Sequence, residues 1–137
     1  MKKELTELEG IVQAKCPRCR RGDLFNGSAY GLKFQKMNHK CSHCGLVYER
    51  EPGYFYVAMF VSYAMVVAEM VATGVATYLI TRNMESPWMY IAVTLITAII
   101  FAPFNFRYSR VILLYWLTPG LHYSSEKAQK QDNKEIL

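Results

Sequence analysis

The chain has 137 residues, 52% hydrophobic and 14% aromatic, with a formal net charge of +5. That apolar content is above the usual soluble average and unevenly spread, and the length leaves room for one small domain or two very small units. The charges sit at the two ends and leave the middle apolar, which points to a membrane surface or nucleic acid as neighbour.

Residues 1–13, opening MKKELTELEG, have no apolar core and no small-residue cleavage site, so no removed signal peptide is expected. They read as a charged tail or a short amphipathic helix with Leu5, Leu8, Ile11 and Val12 on one side.

Residues 14–53 are polar and turn-rich. They carry all four cysteines as C-x₂-C-x₂₁-C-x₂-C: Cys16, Cys19, Cys41 and Cys44. A two-residue gap lets two thiolates converge on one ion while the intervening N–H groups face the sulfurs. Two such knuckles complete a tetrahedral Cys₄ shell. Gly45, after the second pair, suits the left-handed backbone that such a turn favours, and Arg20 holds the matching place less comfortably. Zinc is the expected ion, with rubredoxin-like iron as the alternative. A closed four-thiolate shell leaves no open position, so the site reads as structural. His39, just before the second knuckle, and His43, within it, could each replace a cysteine, but four correctly spaced cysteines already complete the set. Between the knuckles, LFNGSAYGLKFQKMNHK predicts short strands with turns at Asn26-Gly27 and near Gly31. The unit is a small zinc ribbon that metal binding helps to fold.

The character then changes. Residues 52–81 carry one charge, Glu69, and residues 86–106 carry none. Each run is long enough to cross a hydrocarbon core, which takes about 20 helical residues. Two segments cannot close a barrel, so both are expected to be helices. The spans are placed at 54–81 and 87–106, with 82–86 as a short external loop and Pro87 at a helix start. Tyr54, Tyr56, Tyr78, Trp88, Tyr90, Phe104, Phe106 and Tyr108 mark the water interfaces. Ala64, Ala68, Ala72 and Ala76 recur every four residues as a stripe for close helix contact. Glu69 is expected to face inward and to hydrogen-bond Thr97, Thr94 or a second copy of the hairpin.

Residues 107–118 predict an in-plane interfacial helix with Arg107 and Arg110 at the phosphate level, or else a continuation of the second span kinked at Pro103. Residues 119–137 read as a solvated, disordered tail. Of the sixteen Lys and Arg, ten lie in 1–53, one in the connector and five after residue 106. The positive-inside rule then places both termini in the cytoplasm. In that reducing compartment the paired cysteines read as a metal site and not as disulfides.

No Gly-rich phosphate loop, H-E-x-x-H or G-x-S-x-G motif is present. No catalytic residues are assigned, and the chain is expected not to be an enzyme. Its expected partners are the lipid bilayer and another membrane protein, with a second copy of the chain also open. Membrane-tethered nucleic-acid binding is the runner-up, through Arg18, Arg20, Arg21, Lys33, Lys36 and Lys40 with Tyr30 and Phe34 interleaved. A small transporter or metal carrier comes third.

The stretches CPRCRRGDLFNG, CSHCG and EPGYFYVAMFVSYA resemble a bacterial membrane family known as domain of unknown function 983. Cys16, Pro17, Cys19, Gly22, Leu24 and Phe25 match its first knuckle. Cys41, Cys44 and Gly45 match the second, where Ser42 stands in place of a frequent proline. Glu51, Pro52, Gly53, Tyr54, Ser62, Tyr63 and Ala64 match the entry to its first helix, and Arg110 resembles the basic residue after its second. The resemblance covers roughly residues 14–118 and implies a zinc ribbon on a two-helix hairpin in the bacterial inner membrane. For some members it implies an association with cytochrome oxidase assembly. Pro52-Gly53 then becomes the sharp turn that holds the ribbon against the membrane, with Glu49, Arg50 and Glu51 as a solvated linker.

Overall fold

The computed structural model describes residues 5–31 and 36–128. In chain order the elements are α1 (Glu7–Val12), β1 (Phe25–Asn26), β2 (Lys36–Met37), α2 (Tyr56–Thr81) and α3 (Pro87–Ile112), the last running into a π-helical turn at Leu113–Leu117. β1 and β2 pair antiparallel, Phe25 opposite Met37 and Asn26 opposite Lys36. Isolated bridges Lys15–Asp23 and Lys40–Val47 brace the two knuckles.

α1 forms because Thr6 and Glu9 make a reciprocal capping box: the Thr6 N–H donates to Glu9 Oε2 at 2.8 Å, and the Glu9 N–H donates to Thr6 Oγ1. Gly10 is buried because α1 lies against Tyr115, whose hydroxyl occupies the space a Cβ would need and donates to the Lys15 carbonyl at 2.9 Å. Of the four apolar residues expected on one side, Ile11 packs on the core, while Leu8 and Val12 are exposed.

α2 and α3 form an antiparallel hairpin, and both are long and apolar enough to cross a membrane. Nearly all of their most apolar stretches are exposed, unlike the core helices of a water-soluble protein. The face that α2 turns to α3 differs from the expected one. Ala64, Ala68, Ala72 and Ala76 are exposed, whereas Ala58, Ser62, Val66, Glu69, Thr73 and Thr77 are partly or fully buried. In a helix apolar all round, the polar groups decide which face turns inward, and they carry the seam away from the alanines.

Glu69 is on that seam, but the expected bond to Thr97 is not made. The Thr97 hydroxyl donates to its own helix, at Val93 O, 2.8 Å away, and no bond joins Glu69 to Thr94. Glu69 Oε2 is buried without a hydrogen-bond partner. Removing an unpaired buried polar group relieves a desolvation cost of about 1–3 kcal/mol. Glu69→Leu is therefore expected to raise the melting temperature of the detergent-solubilised chain. A lower melting temperature would mean that a second molecule supplies the partner.

The second helix does not stop at residue 106. It continues through Ile112 and widens into the π-helical turn, which Thr118 closes by donating its hydroxyl to Leu113 O at 2.8 Å. No separate in-plane helix forms over 107–118. The apolar run after residue 110 continues the second long helix, the alternative the sequence left open, with Val111, Leu113 and Leu114 buried within the protein and Trp116 and Leu117 exposed. Residues 119–128 are likewise not a free tail. The Ser124 N–H donates to Arg18 O at 3.1 Å, the Arg20 guanidinium lies 4.4 Å from the Tyr123 ring centroid, and Ala128 is buried. Residues 129–137 lie outside the described residues.

The main core joins the two halves. Cys16, Cys19, Leu24, Phe25, Cys41 and Tyr48 of the ribbon pack with Val111 and Leu114 of the helical extension and with Ala128. Tyr54 and Thr118 join their hydroxyls across the junction, and Arg107 donates to Gly27 O at 3.0 Å.

Candidate metal centre

Each knuckle is a short chain reversal closed by its own backbone. The Arg20 N–H donates to Cys16 O at 2.8 Å, and the Gly45 N–H donates to Cys41 O at 3.0 Å. Both turns end in left-handed backbone, with φ of 54° at Arg20 and 68° at Gly45. The Cys44 N–H points at Cys41 Sγ, 3.5 Å away. Between the knuckles Gly22 leaves the room that Cys41 Sγ occupies, and a Cβ there would collide with the sulfur.

The folding brings Cys16, Cys19, Cys41 and Cys44 together, with all four sulfurs within 4.8 Å of one another. The Cys16–Cys44 and Cys19–Cys41 separations are 3.7 and 3.6 Å. A tetrahedral ion with metal–sulfur bonds of about 2.3 Å sets its sulfurs about 3.8 Å apart, so the cage fits such an ion. The four residues are the ones the spacing singles out. Neither His39 nor His43 belongs to the cluster.

The electrostatics also suit a cation. The neighbouring thiols, Cys19 first, push Cys16 well above the ordinary thiol range, and burial acts the same way. Hydrogen bonds from Cys16, Cys19 and Cys44 push Cys41 well below it. The first negative charge is thus welcome among three S–H donors and the last is not. A divalent cation removes that conflict by replacing the protons.

Tyr48 is the part of the site that spacing did not reveal. Its hydroxyl is buried beside the cysteines without a hydrogen-bond partner. Burial first, and the charge at Cys16 next, push it well above the ordinary tyrosine range. The signal lay in its position four residues after Cys44, where an aromatic ring can fold back over the cage.

The fold and site together define a small protein in which a four-cysteine cluster capable of holding a metal ion is packed on the end of a two-helix hairpin. The family model for DUF983, described as a protein of unknown function, matches residues 32–116. The chain belongs to that family. The match takes in the second knuckle and both long helices and leaves Cys16 and Cys19 outside it. No curated protein and no solved structure matches the chain.

Proposed function

We propose that this is a non-catalytic protein of the bacterial inner membrane that holds a zinc ribbon at the cytoplasmic face as a docking platform for another membrane protein, in the assembly of a membrane complex. The observation that carries the reading is the shared core: Val111 at the end of the second long helix and Leu114 in its π-helical turn belong to one buried cluster with Cys16, Leu24 and Tyr48. A ribbon seated in this way cannot reach far from the bilayer. Four thiolates around one zinc leave no position for a substrate, and zinc supplies charge neutralisation and cross-linking, not redox chemistry. Iron in the same cage is the alternative, and metal analysis of the purified chain separates the two.

The bias of Lys and Arg toward the two ends supports cytoplasmic termini. A cysteine placed at Asn83 is expected to react with an impermeant thiol reagent on cells with a permeabilised outer envelope, and one at Ser125 is not. The opposite pattern overturns the orientation.

Nucleic acid is the weaker reading because part of the basic, aromatic face is engaged within the chain. Arg20 is 4.0 Å from Glu7 and stacks on Tyr123, Lys15 pairs with Asp23 at 2.6 Å, and the Tyr30 hydroxyl donates to Ile100 O. Lys33 and Phe34 lie outside the described residues. A photo-crosslinker at the exposed positions Ser42 and Val47 tests both ideas. The same membrane protein captured from both positions supports the platform. Crosslinks to RNA or DNA in its place would favour the runner-up.

A further inference from the structure

Asn105 is 2% exposed, and neither its amide nitrogen nor its carbonyl oxygen has a hydrogen-bond partner. It lines a groove of about 340 Å³ between α2 and α3, on the side of the hairpin nearest the ribbon. A buried amide with both ends unpaired is costly, and buried polar groups in folded proteins are nearly always satisfied. A ligand that offers an acceptor and a donor together would satisfy both ends of this amide.

Ser62 and Ser109 also line the groove, Ser109 with its hydroxyl turned to Phe106 O, and the charged group there is Arg110. It is half-buried, and among the described residues no carboxylate lies within ion-pair distance of it. Helical side chains lean toward the helix N-terminus, so the guanidinium falls back one turn. It lies 3.7 Å from the Phe106 ring centroid and 5.5 Å from that of Phe55, with Nη1 donating to Phe106 O at 3.3 Å. That places the cation at the level of Asn105. Further along the groove, away from the ribbon, the walls are Val66, Ala98 and Ala102. A cation and an amide at one end and an apolar channel at the other match an amphiphile with an anionic head.

We propose that this groove holds one phospholipid of the cytoplasmic leaflet with an anionic, hydroxyl-bearing headgroup of the phosphatidylglycerol class. The phosphate lies between the Arg110 guanidinium and Asn105 Nδ2, which both donate to it. A headgroup hydroxyl donates to Asn105 Oδ1, and one acyl chain follows the channel past Val66 and Ala102. A headgroup ending in an ammonium is disfavoured because its cation would lie beside Arg110. The inference rests on the membrane reading of the hairpin and adds to it a lipid of defined charge.

The test is native mass spectrometry of the full-length chain in a mild detergent containing equal amounts of phosphatidylglycerol and phosphatidylethanolamine. One phosphatidylglycerol per chain is expected to survive, preferred about tenfold, because both lipids offer the phosphate but only phosphatidylethanolamine sets an ammonium beside Arg110. Asn105→Leu and Arg110→Gln should each abolish the preference. Asn105→Asp keeps the shape of the amide and sets a carboxylate against the phosphate, so it should abolish the preference even if the leucine variant misfolds. Equal retention of the two lipids, an unchanged preference in Asn105→Asp, or displacement of the lipid by millimolar inorganic phosphate overturns the site and leaves the membrane reading standing. A chain that stays soluble and lipid-free without detergent overturns both.

Discussion

Cys19→Ser is expected to abolish metal binding and unfold the ribbon while leaving the hairpin intact. One zinc per chain should fall to near zero by metal analysis, and protease should then cut between residues 14 and 53 but spare the apolar segments. The reasoning is energetic. Structural zinc contributes on the order of 10–16 kcal/mol in zinc-finger peptides, and the ribbon has few other resources. Its sheet is two residues deep, and the cysteines are themselves a large share of its buried residues. Gly22→Ala is expected to give a milder form of the same loss, because its new methyl group must displace Cys41 Sγ. Full zinc occupancy in Cys19→Ser would mean that His43 or another group completes the shell. A rubredoxin-like colour in the wild type would replace zinc with iron.

The cage was legible in the sequence because its geometry is local. The two-residue gap within each knuckle sets the turn, and the left-handed backbone at Gly45 and Arg20 follows from that turn. The two long helices were legible because length and hydropathy alone define them. What the sequence hid was the long-range packing. The run VILLYWL looks like a membrane-surface helix because its apolar residues have no local partner. Two of them, Val111 and Leu114, join the core that holds Leu24 and Tyr48, remote in sequence. The alanine stripe misled for a related reason. Small residues permit close packing, but they do not compel it, whereas Ser62, Glu69, Thr73 and Thr77 are polar side chains of an otherwise apolar helix and turn to the seam. The tail after Pro119 reads as solvated by its charge, and three anchors, Leu121, Tyr123 and Ala128, hold its first part to the ribbon.

The platform reading depends on that long-range seam, and Leu114 is where it is most exposed to test. Leu114 is 2% exposed and sits in the core that joins helix and ribbon. Truncating a buried leucine to alanine costs about 2–5 kcal/mol. Leu114→Asp costs more, because it also buries a carboxylate without a partner. The knuckles are closed by their own backbone hydrogen bonds, so zinc should stay bound while the ribbon leaves its seat. Amide exchange should rise at 14–25 and 111–118 and stay slow within α2. Cys19→Ser differs from this by losing the metal and the whole ribbon. The comparison then reaches function. If the ribbon works as a seated platform, crosslinking from Val47 to its membrane partner should fall at least about tenfold in Leu114→Asp even though the zinc remains, as loss of a preorganised geometry predicts. If crosslinking holds at the wild-type level, the ribbon acts as a free arm, and the shared core serves stability alone.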